Sequence, residues 1–427
     1  MRYKNMVYKK LLHFYRREFS LERYNKLSWQ IRRFSNHQNL YKETYTTVEK
    51  KDIINEKDSK KDFFKTIDKE LDQISKETEL YQYFSNGEKF KETLKTVLWK
   101  FKAPIRFSFA YGSGIFKKKR NDKKPMIDFI FGVSHAQHWH SLNLLYNRDH
   151  YSFLKHFGSY FISYLQENIG ANVYYNPYIE INDMIIKYGV ITIDDLCKEL
   201  TEWNTLYLSG RMHKPIKILR DEPRVRIAYN INLIAALRLA MLLLPEKFSE
   251  YELYSTISKF SYTGDLRMEF AENPYKTEAI VNTQIWDFHQ LYFPLINKLP
   301  NIQVISKEQI GTTNKILVQD FNPTSRANMI QQLPKKFKDR LYYAYNQKPK
   351  YKEISHKNKL HENHDNSFEE MIVKDAHFHN EITKAIETTV RWPSISQSLK
   401  GILTGGINKS WRYLTEKIDK NVNAKMS

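Results

Sequence analysis

Cysteine is nearly absent from this chain. Cys197 is the only one in 427 residues, which excludes a disulfide framework and a cysteine-based zinc site and fits a reducing compartment. Long hydrophobic runs are missing as well: the longest, around Leu233 to Leu244, is interrupted by Arg238 and falls short of the roughly 18 residues a membrane-spanning helix needs. Any membrane association is therefore expected to be peripheral. Acid is scarce, with 48 Asp and Glu against 68 Lys and Arg and a formal charge of +20, so an anionic partner is expected: nucleic acid, nucleotide or an acidic lipid surface. What is present is 41% hydrophobic and 14% aromatic residues, enough for two domains with real cores.

The informative stretch runs from Ile105 to Gly132. Ile105 to Ala110 alternates into an apolar strand that stops at Tyr111-Gly112-Ser113-Gly114, and Met126 to Gly132 is a second, almost wholly apolar strand carrying one carboxylate, Asp128. A basic loop, Phe116 to Lys124, joins them. Glycines at 112 and 114 allow a tight turn and a close approach to a phosphate, and Ser113 offers a hydroxyl and amide donors. A carboxylate on a buried strand is costly unless it is paired or holds a cation, so Asp128 reads either as a metal ligand facing that turn or as a satisfied structural carboxylate. Likewise Gly-Ser-Gly is either a phosphate cradle or only a turn.

Elsewhere the organisation is coarser. Met1 to Ser20 carries six basic residues and one acid, Glu18, interleaved with apolar ones, as in a transit peptide or a basic arm (residues 1–35). Residues 36–88 read as a charged linker and helical extension. The histidines of His135 to His140 have spacings that fit no single helical face, so a helix laying Trp139, Leu142 and Leu145 on the sheet is preferred to zinc. Tyr151 to Tyr164 reads as a helix, Val173 to Tyr175 and Tyr178 to Ile181 as strands, and Asn182-Asp183 as the turn into a third core strand, Met184 to Ile191. Lys187 lies inside that strand, as an edge residue snorkelling to water or as a fixed cation for phosphate oxygens. Asp194 is a plausible cap for the next helix. Tyr207 to Pro215 is a turn with two cations, Arg211 and Lys214. A small, mainly helical region (221–345) suggests a winged helix, and 346–370 a disordered insertion. In the last segment (371–427) the residues Ile395, Leu399, Ile402, Leu403, Ile407, Trp411 and Leu414 fall near one helical face, with Lys400, Lys409 and Arg412 off it or at its edge. No acid occurs from Thr388 to Thr415. That pattern suits a helix in a membrane interface, with Arg391 and Lys400 toward anionic lipid and Leu399 and Trp411 in it, or equally a helix packed on the protein's own core.

Tyr111-Gly112-Ser113-Gly114, the Asp128 strand, Trp139-His140-Ser141, His150 to Lys155, Lys187-Tyr188-Gly189-Val190-Ile191 and Trp203 to Tyr207 together resemble the mitochondrial phosphatidate cytidylyltransferases, also called the mitochondrial translocator assembly and maintenance family. The likeness continues through Gly210-Arg211-Met212-His213-Lys214-Pro215, Ser261-Tyr262-Thr263-Gly264-Asp265 and Ser396 to Gly401. The resemblance implies an α+β chain: a nucleotidyltransferase-fold domain (89–220), a winged-helix-like domain and a C-terminal amphipathic, membrane-contacting helix. It implies formation of CDP-diacylglycerol from CTP and phosphatidic acid on the matrix side of the mitochondrial inner membrane, for cardiolipin and phosphatidylglycerol synthesis, with Mg²⁺ as cofactor and no nucleic acid as partner. On that basis Asp128 would hold the metal, Tyr111, Gly112, Ser113 and Gly114 the nucleotide, and Lys187, Arg211 and Lys214 phosphate oxygens. One departure is that Ile130 stands where the wider nucleotidyltransferase superfamily has a second acid; Glu180, Asp183 and Asp195 are the substitutes to test. Rival readings are a nucleotidyltransferase acting on RNA and a non-enzymatic assembly factor for inner-membrane import.

Overall fold

Two aromatic-rich stretches form the centre. β1 (Phe107–Tyr111) and β2 (Ile127–Val133) pair antiparallel, as their β-branched and aromatic side chains favour. β3 (Tyr174–Ile181) and β4 (Met184–Thr192) form a hairpin across Asn182 and Asp183, both at positive φ, as a two-residue hairpin turn requires. β4 runs parallel to β2, β5 (Lys217–Arg220) closes the other edge, and the order is β3-β4-β2-β1-β5. Lys187 therefore sits on an interior strand, which removes the edge reading. The computed structural model describes residues 88–116, 125–265, 276–305, 315–349, 351 and 367–406. The basic arm or transit peptide, the linker, the Lys117 to Lys124 loop, most of the 346–370 insertion and everything from Ile407 on, Trp411 included, lie outside those residues.

Strand alternation sorts the sheet into two faces. Phe129, Phe131, Ile186, Tyr188 and Val190 point to one, where Leu94 and Val97 of the helix at 88–98 and Trp139 cover them. Phe107, Phe109, Ile130 and Ile191 point to the other, into a core that continues without a break through the helices Ile193–Glu202 and Pro223–Leu243. The second of these is long and apolar enough to cross a membrane, but two thirds of it, including Leu233, Leu237 and Met241, is buried inside the protein. At about 25 cal/mol per Å² of apolar surface, burial of this kind dominates the stability of the fold.

Beyond β5 the chain is mainly helical, with Glu250–Lys259, Lys276–Ile296, Pro323–Gln331, Lys335–Asn346, Ser367–Val373 and Phe378–Gly405 around a small sheet of β6 (Lys247–Ser249), β7 (Ile302–Val304) and β8 (Ile316–Gln319), ordered β6-β8-β7. The whole is α+β. Ser249 caps its helix in a capping box with Glu252.

Three local expectations change. Tyr151 to Tyr164 is not one helix but a 3₁₀ turn, Phe153–Phe157, followed by the helix Gly158–Asn168, because Gly158 takes φ 77° and breaks the run. Thr192, not Asp194, caps the Ile193–Glu202 helix, its hydroxyl accepting from the Asp195 amide. Leu145 is 73% exposed, since the helix Ala136–Tyr146 turns Trp139 inward with Leu142 half-buried beside it.

Candidate active site

Register alone brings together three residues named from the sequence. Tyr111 on β1 lies opposite Asp128 on β2, and Asp128 lies opposite Lys187 on β4, forming one row across three strands on the face that bears Ile130 and Phe109. Tyr111 is the last residue of β1, Asp128 the second of β2 and Lys187 the fourth of β4, and all three side chains are half-buried. Lys187 Nζ stands 3.9 Å from Asp128 Oδ1 and 4.4 Å from the centre of the Tyr175 ring. Gly112 follows at φ 90°, and a Cβ there would come within 3.3 Å of Asp128 Oδ2; glycine is what lets the turn close over the carboxylate. Ser113 and Gly114 begin the short helix Ser113–Phe116 directly after it.

Arg211, in the short helix Ser209–Met212, and Lys214, just beyond it, approach from the segment after the Ile193–Glu202 helix. The Arg211 guanidinium lies 3.7 Å over the Tyr207 ring and 5.9 Å from the Tyr111 ring, and it donates to the Tyr207 carbonyl. The Tyr111 and Tyr175 hydroxyls are 3.4 Å apart. Three tyrosines thus frame the space between Lys187, Arg211 and Asp128. Lys214 Nζ donates to the Gly210 carbonyl at 2.8 Å and to Ser261 Oγ at 2.7 Å, and Tyr262 lies beneath both Lys214 and Lys276 at 4.8 and 5.1 Å. The two segments meet closely: a Cβ on Gly210 would strike Ser261 Cβ at 2.5 Å.

This loop is held rigidly from behind. Buried Glu199 accepts from the amides of Thr205 and Tyr207 and from Ser209 Oγ, and burial raises its carboxyl above the usual range. Asn232 accepts from Trp203 Nε1 and faces His213 Nε2, while Tyr292 donates to the His213 carbonyl. Burial, with Lys214 beside it, lowers His213 to about 3, so it is neutral. Burial pushes the Lys214 ammonium well down, and Arg211 and Lys276 push it further. Cations gathered among carbonyls, hydroxyls and rings, with like charges raising their mutual cost, form a place whose energy falls when an anion enters. Phosphate is the anion such a fork of Arg and Lys suits.

The acid expected beside Asp128 is not at any of the three positions considered. Asp195 is tied to Thr192 Oγ1 and Asn172 Nδ2 at the far end of β4, Asp183 is in the hairpin turn and Glu180 is exposed on β3 opposite Ile185. Ile130, fully buried, faces the same side as Asp128 but lies inside the apolar core, where a second carboxylate would be uncompensated. Among the described residues no group of three or more His, Cys, Asp or Glu stands ready for a metal. One carboxylate beside a group of cations nevertheless fits the donor set of magnesium, which keeps most of its waters and is held by one or two carboxylates together with substrate phosphates. His140 has both ring nitrogens engaged, to Tyr151 OH and Gln166 Oε1, and burial lowers it to about 4, so it serves the core. A cleft of about 540 Å³ lined by His135, Gln137, Tyr160, Glu167 and Asp194 lies at the other end of β2 and β4 and contains none of these cations.

Sequence reasoning missed Tyr175, Glu199, Tyr262 and Lys276. Glu199 had a signal: an acid at the position where the Leu196–Leu200 helix face should be apolar.

An α+β protein with a carboxylate–lysine row under a glycine turn, faced by buried cations, belongs to the class that handles phosphate esters. A family model described as "Phosphatidate cytidylyltransferase, mitochondrial" matches residues 94–420. Relatives with that same name include proteins of Schizosaccharomyces pombe, 36% identical over 345 residues (79% of this chain, 86% of that one), and Xenopus laevis, 36% over 335 residues (76% and 93%). One from Mus musculus is 34% identical over 335 residues, covering 77% of this chain and 94% of its own. The chain belongs to the mitochondrial phosphatidate cytidylyltransferase family.

Proposed function

We propose that this chain transfers the cytidylyl group of CTP to phosphatidate, releasing pyrophosphate and forming CDP-diacylglycerol for cardiolipin and phosphatidylglycerol synthesis. The observation that carries the reading is the in-register row Tyr111, Asp128 and Lys187 beneath the Gly112 turn, with Arg211 and Lys214 opposite, in a chain of this family. A phosphate oxygen of phosphatidate attacks the α-phosphorus, a new P–O bond forms, and the bond to the β-phosphate oxygen breaks. Two anions meet, so the site's task is to neutralise and align rather than to form a covalent intermediate. Phosphatidate is already ionised near neutral pH, and no general base is needed. Lys187, Arg211 and Lys214 take phosphate oxygens, the amides of Gly112, Ser113 and Gly114 hold the triphosphate, and the Ser113 hydroxyl adds a donor. Asp128 would hold the Mg²⁺ that comes with CTP and offsets charge on the α-phosphate and the leaving pyrophosphate. Tyr111, Tyr175 and Tyr207 wall the space and stiffen the cations over their rings.

The protein is proposed to act as a peripheral protein on the matrix side of the inner mitochondrial membrane, its region around β6 to β8 a winged-helix-like support and its C-terminal helix in lipid contact. Arg391 and Leu399 are exposed on that helix, in keeping with such contact. Lys400 corrects the expectation: it is 1% exposed and donates to the carbonyls of Leu165, Gln166 and Ile169, so it faces the protein.

The test is turnover by purified protein of labelled CTP with Mg²⁺ and phosphatidate vesicles, scored as lipid-soluble product and pyrophosphate. Both should appear in equal amounts. Polynucleotide extension would instead select the RNA reading, and a stable protein partner with no turnover the assembly-factor reading.

A further inference from the structure

The last third of the Phe378–Gly405 helix has its polarity reversed. Its inward side is polar: Ser394 donates to Asp265, Gln397 spans the Ala171 amide and the Val173 carbonyl, and Lys400 caps the carbonyls at the end of the Gly158–Asn168 helix. Its outward side is apolar, with Leu399 60%, Ile402 50% and Leu403 45% exposed. The same surface continues onto another part of the chain. Ser152 Oγ donates to the Leu403 carbonyl at 2.8 Å, and directly after Ser152 the 3₁₀ turn Phe153–Phe157 leaves Phe153 52% and Phe157 59% exposed. Their rings touch edge to face at 6.3 Å. The turn is not loose: Tyr151 and Leu154, on either side of Phe153, are buried, and the Phe157 ring packs tilted against Phe161 at 5.2 Å.

Two exposed aromatics on a pinned turn, beside three exposed aliphatics on a helix with no acid from Thr388 to Gly406, have the makings of a lipid contact. We infer that Phe153 and Phe157 form a second membrane wedge, inserted in an anionic bilayer next to Leu399, Ile402 and Leu403, so that the strand-bearing part of the chain touches lipid directly. This rests on the reading that the acceptor is a membrane lipid, which must be met at a bilayer. Arg148 and Lys155, flanking the wedge against the single Asp149, supply the complementary charge. The effect is to fix two points of contact, on elements tied together by Ser152, so that the protein's orientation on the bilayer is set.

The test uses the full chain and vesicles of phosphatidylcholine carrying phosphatidic acid. Phe153→Ser/Phe157→Ser should lower vesicle affinity in flotation about tenfold or more, while Ile227→Ser, an exposed residue on the Pro223–Leu243 helix, leaves it unchanged. Should the double variant misfold, a polarity-sensitive dye on Phe157→Cys in a Cys197→Ser background reads the same question, blue-shifting when vesicles are added. Unchanged affinity, or no dye shift, overturns the inference. So does vesicle affinity that rises when the chain is cut after Gly406, which would assign the patch to the protein's own tail, or a dimer that dissociates in the double variant, which would assign it to a second copy. None of these readouts needs turnover, so failure of cytidylyl transfer in the wild type would sink the reaction without touching the wedge.

Discussion

The Phe378–Gly405 helix follows two opposite rules along its length. From Phe378 to Val390 it buries Phe378, Ile382, Ala385, Ile386 and Val390, as an amphipathic helix on a core does. From Ser394 to Thr404 it buries Ser394, Gln397, Lys400 and Thr404 and turns Leu399, Ile402 and Leu403 out. The first half is held by apolar burial, the second by hydrogen bonds to the strand-bearing region. A helix docked through polar groups keeps its apolar face available for another solvent, as the proposed bilayer contact requires.

Substitution should separate the halves. Ile382→Asn places an unpaired amide in the core and leaves a void, so it should cost about 3–5 kcal/mol of stability by chemical denaturation. Gln397→Leu leaves the Ala171 amide and the Val173 carbonyl without partners, and should cost about 1–3 kcal/mol in the same assay. Leu399→Ser should change stability by less than about 0.5 kcal/mol while weakening vesicle flotation; an equal loss of stability at Leu399 and Ile382 would abolish the distinction.

Lys400 offers the finest probe. Burial lowers its ammonium to about 7 from 10.5, so between those values the unfolded chain binds more protons than the folded one. Stability should therefore rise with pH across that window, by up to about 1.4 kcal/mol per pH unit, and should be lost as pH falls toward 7. The difference in stability between wild type and Lys400→Met, followed by denaturant midpoint from pH 7 to 10, reads this slope; no slope would mean that the three carbonyls keep the charge fully stabilised.

How far the sequence was legible follows from the same contrast. The Tyr111 to Gly114 turn and the Asp128 strand were readable because alternation and a single carboxylate among apolar residues are local signals. Lys187 was named as a candidate, but its place directly across from Asp128 is a matter of parallel register, which no local pattern encodes. Tyr175 and Tyr207 carried no site role in the sequence because an aromatic in a strand or turn looks like core. At Lys400 helical spacing correctly grouped Leu399, Ile402 and Leu403 on one face. Spacing says which residues share a side, not which side turns inward, and here the polar side did because carbonyl ends and an open amide awaited it. The second acid sought beside Asp128 could not be found by listing acids, since Asp195 is engaged in a cap and Glu180 stands exposed two strands away on β3, opposite Ile185.

If the Asp128 row performs the proposed cytidylyl transfer, wild type and Asp128→Asn, matched by thermal melting, should differ sharply in the CTP, Mg²⁺ and phosphatidate assay. Wild type should give product and the variant should lose at least about a hundredfold, as expected when a group stabilising transition-state charge is removed. A folded Asp128→Asn protein that retains full cytidylyl transfer would contradict that proposal.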